Sequence, residues 1–312
     1  MVRPSLRGVR RRCATSHATT SVIDVMHRSC HGNQPDHVAL SQDASGDPRR
    51  ARPVPILPRL SSFEGIPMCG RYVRRSDKQR IAEFFAVHGG VIPDFGPSWN
   101  VAPQTFQPVV RLNRDTGERE IVLMRWGLIP FWAKDPKIGL RTINAKAETI
   151  ETAPAFREAI RYRRCLVPAD AFYEWQRISE KVKQPFAIAL KDDQPYAFAG
   201  LWERWTDAKA GPELLTFTVI TTDPNELVEP MHDRMPVIIP EENYDRWLQH
   251  GDPDRPPTDL LRPFDAAKMT AWKVDTAVGN AKNDSAKLIL PASVAAEQLH
   301  LLLPPNRGPR SH

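Results

Sequence analysis

Cysteine is scarce in this chain: Cys13, Cys30, Cys69 and Cys165 are the four among 312 residues, with no Cys-x-x-Cys spacing and no nearby pair of histidines. A structural zinc site needs such spacing, so no metal and no cofactor is expected. Four cysteines in so long a chain also make no disulfide framework, and a reducing compartment fits them best. Long apolar runs are missing as well. No stretch approaches the roughly 18 residues that cross a bilayer, and nothing near Met1 has the apolar centre of a secretory signal. The expectation is a soluble, intracellular protein without a membrane partner. Lysine is absent from the first 67 residues, which hold ten arginines and five acids for a net +5. The remainder holds all twelve lysines, with 33 basic against 32 acidic residues. The sequence pI of about 9.2 therefore reflects the leader, and any nucleic-acid site beyond it must be a local basic patch.

The content that is present, 41% hydrophobic and 26% charged, is that of an ordinary globular protein. Residues 1–67 show no period of 3.6 or 2 and are rich in Arg, Pro and Ser. Three accounts suit them: a disordered tail, a targeting or pro-segment, or upstream sequence read from a start placed too early. The third is favoured because Met68 stands directly before Cys69, and because Asp24, Asp36, Asp43 and Asp47 weaken a presequence. From Met68 the pattern is regular. Ser76 is placed to cap a helix running to about His88 and ended by Gly89-Gly90. Val109–Leu112 and Glu120–Trp126 read as strands joined by a turn over Asn113–Gly117. A helix is expected over Pro154–Arg164 and a short one over Asn243–His250. Strands are expected at Cys165–Val167, Pro185–Leu190, Tyr196–Trp202, Leu215–Thr221 and Val237–Ile239. Strands dominate without strand-helix-strand alternation, which predicts a single α+β domain over 68–291 with a curved, mainly antiparallel barrel-like sheet flanked by helices. Residues 292–312 read as a tail, with Leu301–Leu303 able to dock.

Four segments could carry chemistry. Met68-Cys69-Gly70-Arg71 would leave Cys69 with a free α-amine beside its thiol after methionine removal. An amine of pKa near 8 and a thiol near 8.5 on one residue capture an aldehyde twice, as a Schiff base and then a thiazolidine ring; an internal cysteine is otherwise a small buried apolar residue. In extended chain, Asn144, Lys146 and Glu148 share one face, a catalytic stripe or a solvated edge. Glu174, between Tyr173 and Trp175, could lose solvation and act as a general acid, ahead of Asp170, which equally suits a turn. His232 titrates near neutrality and Arg234 offers a fork for phosphate, although a loop histidine is often plain surface. Trp99, Trp126, Trp132 and Trp175 are base-stacking candidates or core.

Together, the Met-Cys-Gly-Arg segment, Trp99 to Pro103, Arg125 to Pro130, Asn144 to Thr149, Pro168 to Trp175, Ala199 to Trp202 and Met231 to Pro236 resemble the SOS-response-associated peptidase family, also called abasic-site processing proteins. The resemblance implies a bacterial-type cytoplasmic protein, nucleoid-associated when bound to damage and acting as a monomer. It implies crosslinking to abasic sites in single-stranded DNA through Cys69, with Asn144, Glu174 and His232 as catalytic partners. Arg71, Asn100, Trp126, Lys146 and Arg234 are implied to line the DNA surface. Self-processing peptidase (hydrolase) and lyase-type activities are implied too. Two features depart from the family: Lys146 stands where arginine is usual, and residues 1–67 have no counterpart. While attached, the leader makes the Cys69 nitrogen a peptide nitrogen and blocks imine chemistry. Two alternatives stay open. A cysteine peptidase with Cys69 as nucleophile and His232 as base would turn over peptides indifferent to DNA. A noncovalent reader of single-stranded or modified DNA would bind unchanged after Cys69→Ala.

Overall fold

The computed structural model describes residues 69–207, 211 and 213–293. The leader, and the tail beyond 293 with Leu301–Leu303, lie outside the described residues.

Five strands close on themselves. β3 (Phe106–Leu112) and β4 (Arg119–Trp126) form a hairpin, and β6 (Arg164–Ala169), β9 (Tyr196–Thr206) and β10 (Glu213–Thr222) complete the ring in the order β4-β3-β6-β9-β10. Four of the five joints are antiparallel; β10 returns to β4 in parallel, Thr216 beside Arg125 and Phe217 beside Trp126. Closure removes the sheet edges. On β10, β5 (Asn144–Lys146) continues the parallel edge, while β11 (Met235–Pro236) and β12 (Ile238–Ile239) add to β10 and β9. The α+β barrel read from the sequence is therefore present.

A second, antiparallel sheet stands beside it in the order β13-β8-β7-β1-β2: Met269–Lys273, Lys183–Leu190, Ala171–Arg177, Tyr72–Arg74 and Ser98–Val101. One residue, Asp170, separates β6 from β7, so the chain steps from barrel to second sheet there. Its buried carboxylate accepts the Ser76 N–H at 2.9 Å and the Ser76 hydroxyl at 2.7 Å. Asp170 thus takes the turn-satisfying role. Alternation along β7 sorts its side chains. Phe172 packs into the cluster holding Tyr72, Trp126 and Phe217, whereas Ala171 and Tyr173 pack with Val274, Val278 and Leu288. Glu174 shares the barrel-side parity of Phe172.

Several expected boundaries move. The first helix, α1, is Lys78–Phe84, and its cap is Asp77, whose side chain accepts the Arg80 N–H; Ser76 is committed to Asp170. Ala86, at φ 50°, ends it with the Val87 N–H reaching back to the Ala82 carbonyl, before Gly89 is reached. The helix expected from Pro154 is α2, Arg157–Tyr162, and α3 is Tyr244–Leu248 with Trp247 fully buried. The strand carrying Asn144 stops at Lys146 and turns into a 3-10 helix over Ala147–Thr149, so Glu148 is not on the expected stripe. Gly127, within the Arg-Trp-Gly-Leu-Ile-Pro motif, has φ 123°, and a Cβ there would meet the Gly139 carbonyl at 2.3 Å. Only glycine lets the 127–143 loop close on itself so tightly.

Candidate active site

Cys69 enters the fold just ahead of β1 and is 4% exposed. Its Sγ lies 3.5 Å from the Arg234 carbonyl, and its own carbonyl accepts the Asn144 amide N–H at 3.1 Å. Asn144 comes from β5, Arg234 from the loop before β11, and Glu174, whose carboxyl group meets the thiol, from β7. Three segments far apart in sequence therefore converge on one cysteine. Burial pushes the Cys69 thiol well up, and the neighbouring Glu174 pushes it further. Burial likewise raises Glu174 to about 8. A thiol has one proton to give. With Glu174 protonated, its O–H can donate to sulfur while the S–H points to the Arg234 carbonyl, and both contacts are satisfied. Two polar atoms at this point have no partner: Asn144 Oδ1 and Glu174 Oε1, both on buried side chains. Unsatisfied buried oxygens cost stability unless a partner completes them.

His232 sits on the same loop as Arg234 and is half-buried, its pKa lowered mainly by desolvation. Its Nδ1 accepts the Arg234 N–H at 3.1 Å and also stands 3.0 Å from the exposed Asp233 carboxylate. One nitrogen cannot serve both. Neutral imidazole accepts from the backbone, and protonation would turn Nδ1 toward Asp233, so the proton state of His232 is coupled to the loop that holds Arg234 against Cys69. Gln176 on β7 donates to the Pro230 carbonyl, tying this loop to the Glu174 strand.

The expected DNA-facing residues divide. Trp126 is 1% exposed, stacks on Phe217 with centroids 6.1 Å apart, and donates its indole N–H to the Ile143 carbonyl. It is core, because β4 points that position into the barrel. Asn100 is also buried: its amide N–H groups reach the Val278, Asn280 and Asn283 carbonyls and its oxygen accepts from Arg71. It clamps the C-terminal segment and is not a surface contact. The Arg234 fork is already taken, by both Glu148 oxygens at 2.8 and 3.0 Å, by Asp223 at 3.1 Å and by the Thr221 carbonyl. It is not open to phosphate in this arrangement. Arg71 holds Asn100 and the Val278 and Gly279 carbonyls and meets no carboxylate. Lys146 is exposed; its side chain makes no hydrogen bond or close ion pair among the described residues, and its charge acts on Glu148. Of the tryptophan candidates Trp132 is 49% exposed, and its neighbour Phe131, which the sequence reading passed over, is 59% exposed. Two adjacent aromatics in a loop just after Pro130 were the available signal. Elsewhere, Arg114, Arg161, Arg163 and His250 gather with Phe131 and Tyr162 around a groove. None of these residues was a candidate in the sequence reading, and Arg163 and Arg161 are paired with Glu203 and Asp254.

Among the described residues no three His, Cys, Asp or Glu side chains are grouped as metal ligands would be, and no helix is long and apolar enough to cross a membrane. Residues 68–281 match the family model described as SOS response associated peptidase (SRAP). The chain belongs to the SRAP family. It is 45% identical over 226 residues to Abasic site processing protein YoqW of Bacillus subtilis (strain 168), an alignment covering 71% of this SRAP chain and 99% of the relative. It is 30% identical over 283 residues to Abasic site processing protein HMCES of Xenopus tropicalis, covering 78% and 81%. A crystal structure of a protein from Bacteroides thetaiotaomicron superposes with a TM-score of 0.66 at 28% identity, covering 72% of this chain and all of that one. The match begins at residue 68, one position before Cys69.

Proposed function

We propose that this SRAP protein processes abasic sites in single-stranded DNA by bonding to them through Cys69, once residue 69 carries a free α-amine. The observation that carries the reading is the buried Cys69, with Glu174 against its thiol and Asn144 on its carbonyl, while Asn144 Oδ1 and Glu174 Oε1 have no partner. The names of the relatives agree with it. The open-chain abasic sugar presents an aldehyde. The α-amine adds to its carbon and water leaves, giving an imine; the thiol then adds to the same carbon, its proton passes to nitrogen, and a thiazolidine closes. Asn144 Oδ1 is positioned to accept from the amine and orient it. Glu174, protonated across much of the neutral range, supplies the proton that lets water depart. His232 assists sugar-ring opening from the loop above. Arg71 and Lys146 contact phosphate, and Trp132 with Phe131 offers ring faces to bases.

A peptidase nucleophile needs a lowered thiol pKa. Burial raises that of Cys69, and the Nδ1 of His232 accepts from the Arg234 N–H and not from the thiol, which supports aldehyde capture over general proteolysis. Removal of the residues before Cys69 remains part of the reading, because it releases the required amine. The test compares the 1–312 and 69–312 chains on abasic single-stranded DNA in a denaturing gel. The 69–312 form is expected to give a shifted band that Cys69→Ala abolishes. No band from the form beginning at Cys69 sinks the proposal.

A further inference from the structure

The α-amine of Cys69 is one amine at this site; the strand beside it carries another. Lys146 ends β5, two residues after Asn144 on the same face, about 6.6 Å along the strand. Asn144 donates to the Cys69 carbonyl at 3.1 Å. Across the sheet Lys146 pairs with Thr221, whose carbonyl is held by Arg234 at 2.7 Å, and the Arg234 carbonyl in turn lies 3.5 Å from the Cys69 sulfur. Lys146 is thus linked to the thiol through two independent chains of contact, one along its strand and one through the loop. The charged groups around it are Arg234, which forks onto Glu148 and touches Asp223, and these leave one net negative charge beside Lys146. The Lys146 ammonium is exposed, makes no hydrogen bond or close ion pair among the described residues, acts electrostatically on Glu148, and rides on a flexible four-carbon stem.

The other cations near the thiol are Arg71 and Arg234, and a guanidinium does not deprotonate to form an imine. Lys183 is the other lysine near this loop, since its charge acts on His232. It pairs with Arg177 on β7, whose parity is that of Tyr173 and Trp175, opposite to Glu174, so it belongs to the other face of the sheet.

We propose that Lys146 is a second imine-forming amine of this site and gives the chain a strand-cleaving route on abasic DNA that does not use the Cys69 nitrogen. The inference rests on the abasic-DNA reading above. The Lys146 ammonium loses a proton to solvent, the amine adds to the aldehyde carbon, and a proton taken back from solvent lets water leave, forming a protonated imine. That cation acidifies the adjacent sugar C2′–H. Solvent water takes the C2′ proton, the C2′–C3′ double bond forms, the C3′–O bond breaks, and the departing 3′ phosphate takes the electron pair. Water then hydrolyses the imine, returning the lysine and releasing an unsaturated aldehyde. No oxidant or reductant is required.

The experiment uses the full 1–312 chain, in which the nitrogen of residue 69 is a peptide nitrogen. It is incubated with abasic single-stranded DNA and borohydride, which reduces an imine to a stable amine, and the adduct is located by peptide mass mapping. The adduct is expected on Lys146. Lys146→Arg is expected to lower trapped adduct and, without borohydride, strand cleavage at least tenfold at an unchanged melting temperature, whereas Lys287→Arg, at an exposed position elsewhere, changes neither. No adduct, an adduct on Lys183 or another residue, or full trapping by Lys146→Arg overturns the proposal. The 69–312 chain on the same DNA separates the two failures. If it crosslinks through Cys69 while the full chain traps nothing, this inference alone falls. If neither reacts, the abasic-DNA reading falls with it.

Discussion

Glu174 and Glu203 are buried to a similar degree, 2% and 4% exposed, one on the second sheet and one on the barrel. Burial raises the pKa of both. Their surroundings differ. Glu203 accepts from Arg163 at 2.8 Å, from the Arg204 N–H at 2.9 Å and from the Phe131 N–H, so both of its oxygens are used. Glu174 has a thiol and the Trp175 N–H for company and leaves Oε1 bare. A buried acid wrapped in donors fixes a fold, here the base of the loop that displays Phe131 and Trp132. A buried acid left half-satisfied keeps its proton at a cost in stability, which suits the proposed proton donor.

The largest expected effect that tests this contrast is a pH dependence. Glu174 has an ordinary value of 4.5 and a folded value of about 8. Between those limits the folded chain keeps a proton that the unfolded chain has released, so stability falls as pH rises and levels off above about 8. One such group contributes a slope of about 1.4 kcal/mol per pH unit across the window. Glu174→Gln is expected to flatten the curve and to match or exceed the parent in stability near pH 7.5, as read by denaturant unfolding at several pH values. An unchanged slope in the variant would place the proton elsewhere.

Glu203→Gln is expected to act in the opposite sense. It leaves the Arg163 guanidinium, 16% exposed, without its charge partner, but the carboxylate removed is one that burial disfavours, so the net loss is about 1 kcal/mol. The same denaturation measurement at pH 7 should show a clear loss for Glu203→Gln and none for Glu174→Gln. Equal losses would erase the distinction between the two acids.

The activity comparison is made on a rate. Glu174→Gln keeps the shape and removes the proton donor, and a positioned general acid contributes about 100-fold. The rate of crosslink formation by the chain beginning at Cys69 should fall by that order, while binding to uncleavable single-stranded DNA holds. A rate unaffected by the change would reduce Glu174 to a neighbour of the thiol.

How far this contrast could be read from sequence depends on which atoms decide it. Period and turn chemistry were enough for the β3–β4 hairpin, for most barrel strands and for the α+β class. β1, β2 and β13 were missed because each is short and framed by loops, and β7 because both of its faces are covered, which erases alternation. The site was legible as residue types at motif positions: Cys69, Asn144 and Glu174 do meet. Burial was not legible. Trp126 and Arg125 are adjacent in one strand, and the barrel's closure decides that the tryptophan goes inward. Nor could the sequence show that Arg234 spends its fork on Glu148 and Asp223, since that pairing joins a 3-10 turn to a loop more than 80 residues away.

Asp170 extends the comparison to a third buried acid, 4% exposed. Like Glu203 it is wrapped, by the Ser76 N–H, the Ser76 hydroxyl and, at 3.8 Å, Arg75. Ser76 stood out in the sequence as a helix cap, but the cap is Asp77. The two residues separate the roles. Asp77→Ala removes the side chain that accepts from Arg80 and should cost about 1 kcal/mol by fraying α1. Ser76→Ala leaves the cap intact and removes one of two short bonds to a buried charge, which should cost about 1.5 kcal/mol. The Ser76 loss should vanish in an Asp170→Asn background, where the charge that made the bond strong is gone, while the Asp77 loss persists. If the Ser76 effect is additive with Asp170→Asn, the hydroxyl is not serving the carboxylate. The step from barrel to second sheet would then rest on the backbone contacts alone, among them the Asp170 N–H on the Val73 carbonyl at 2.8 Å.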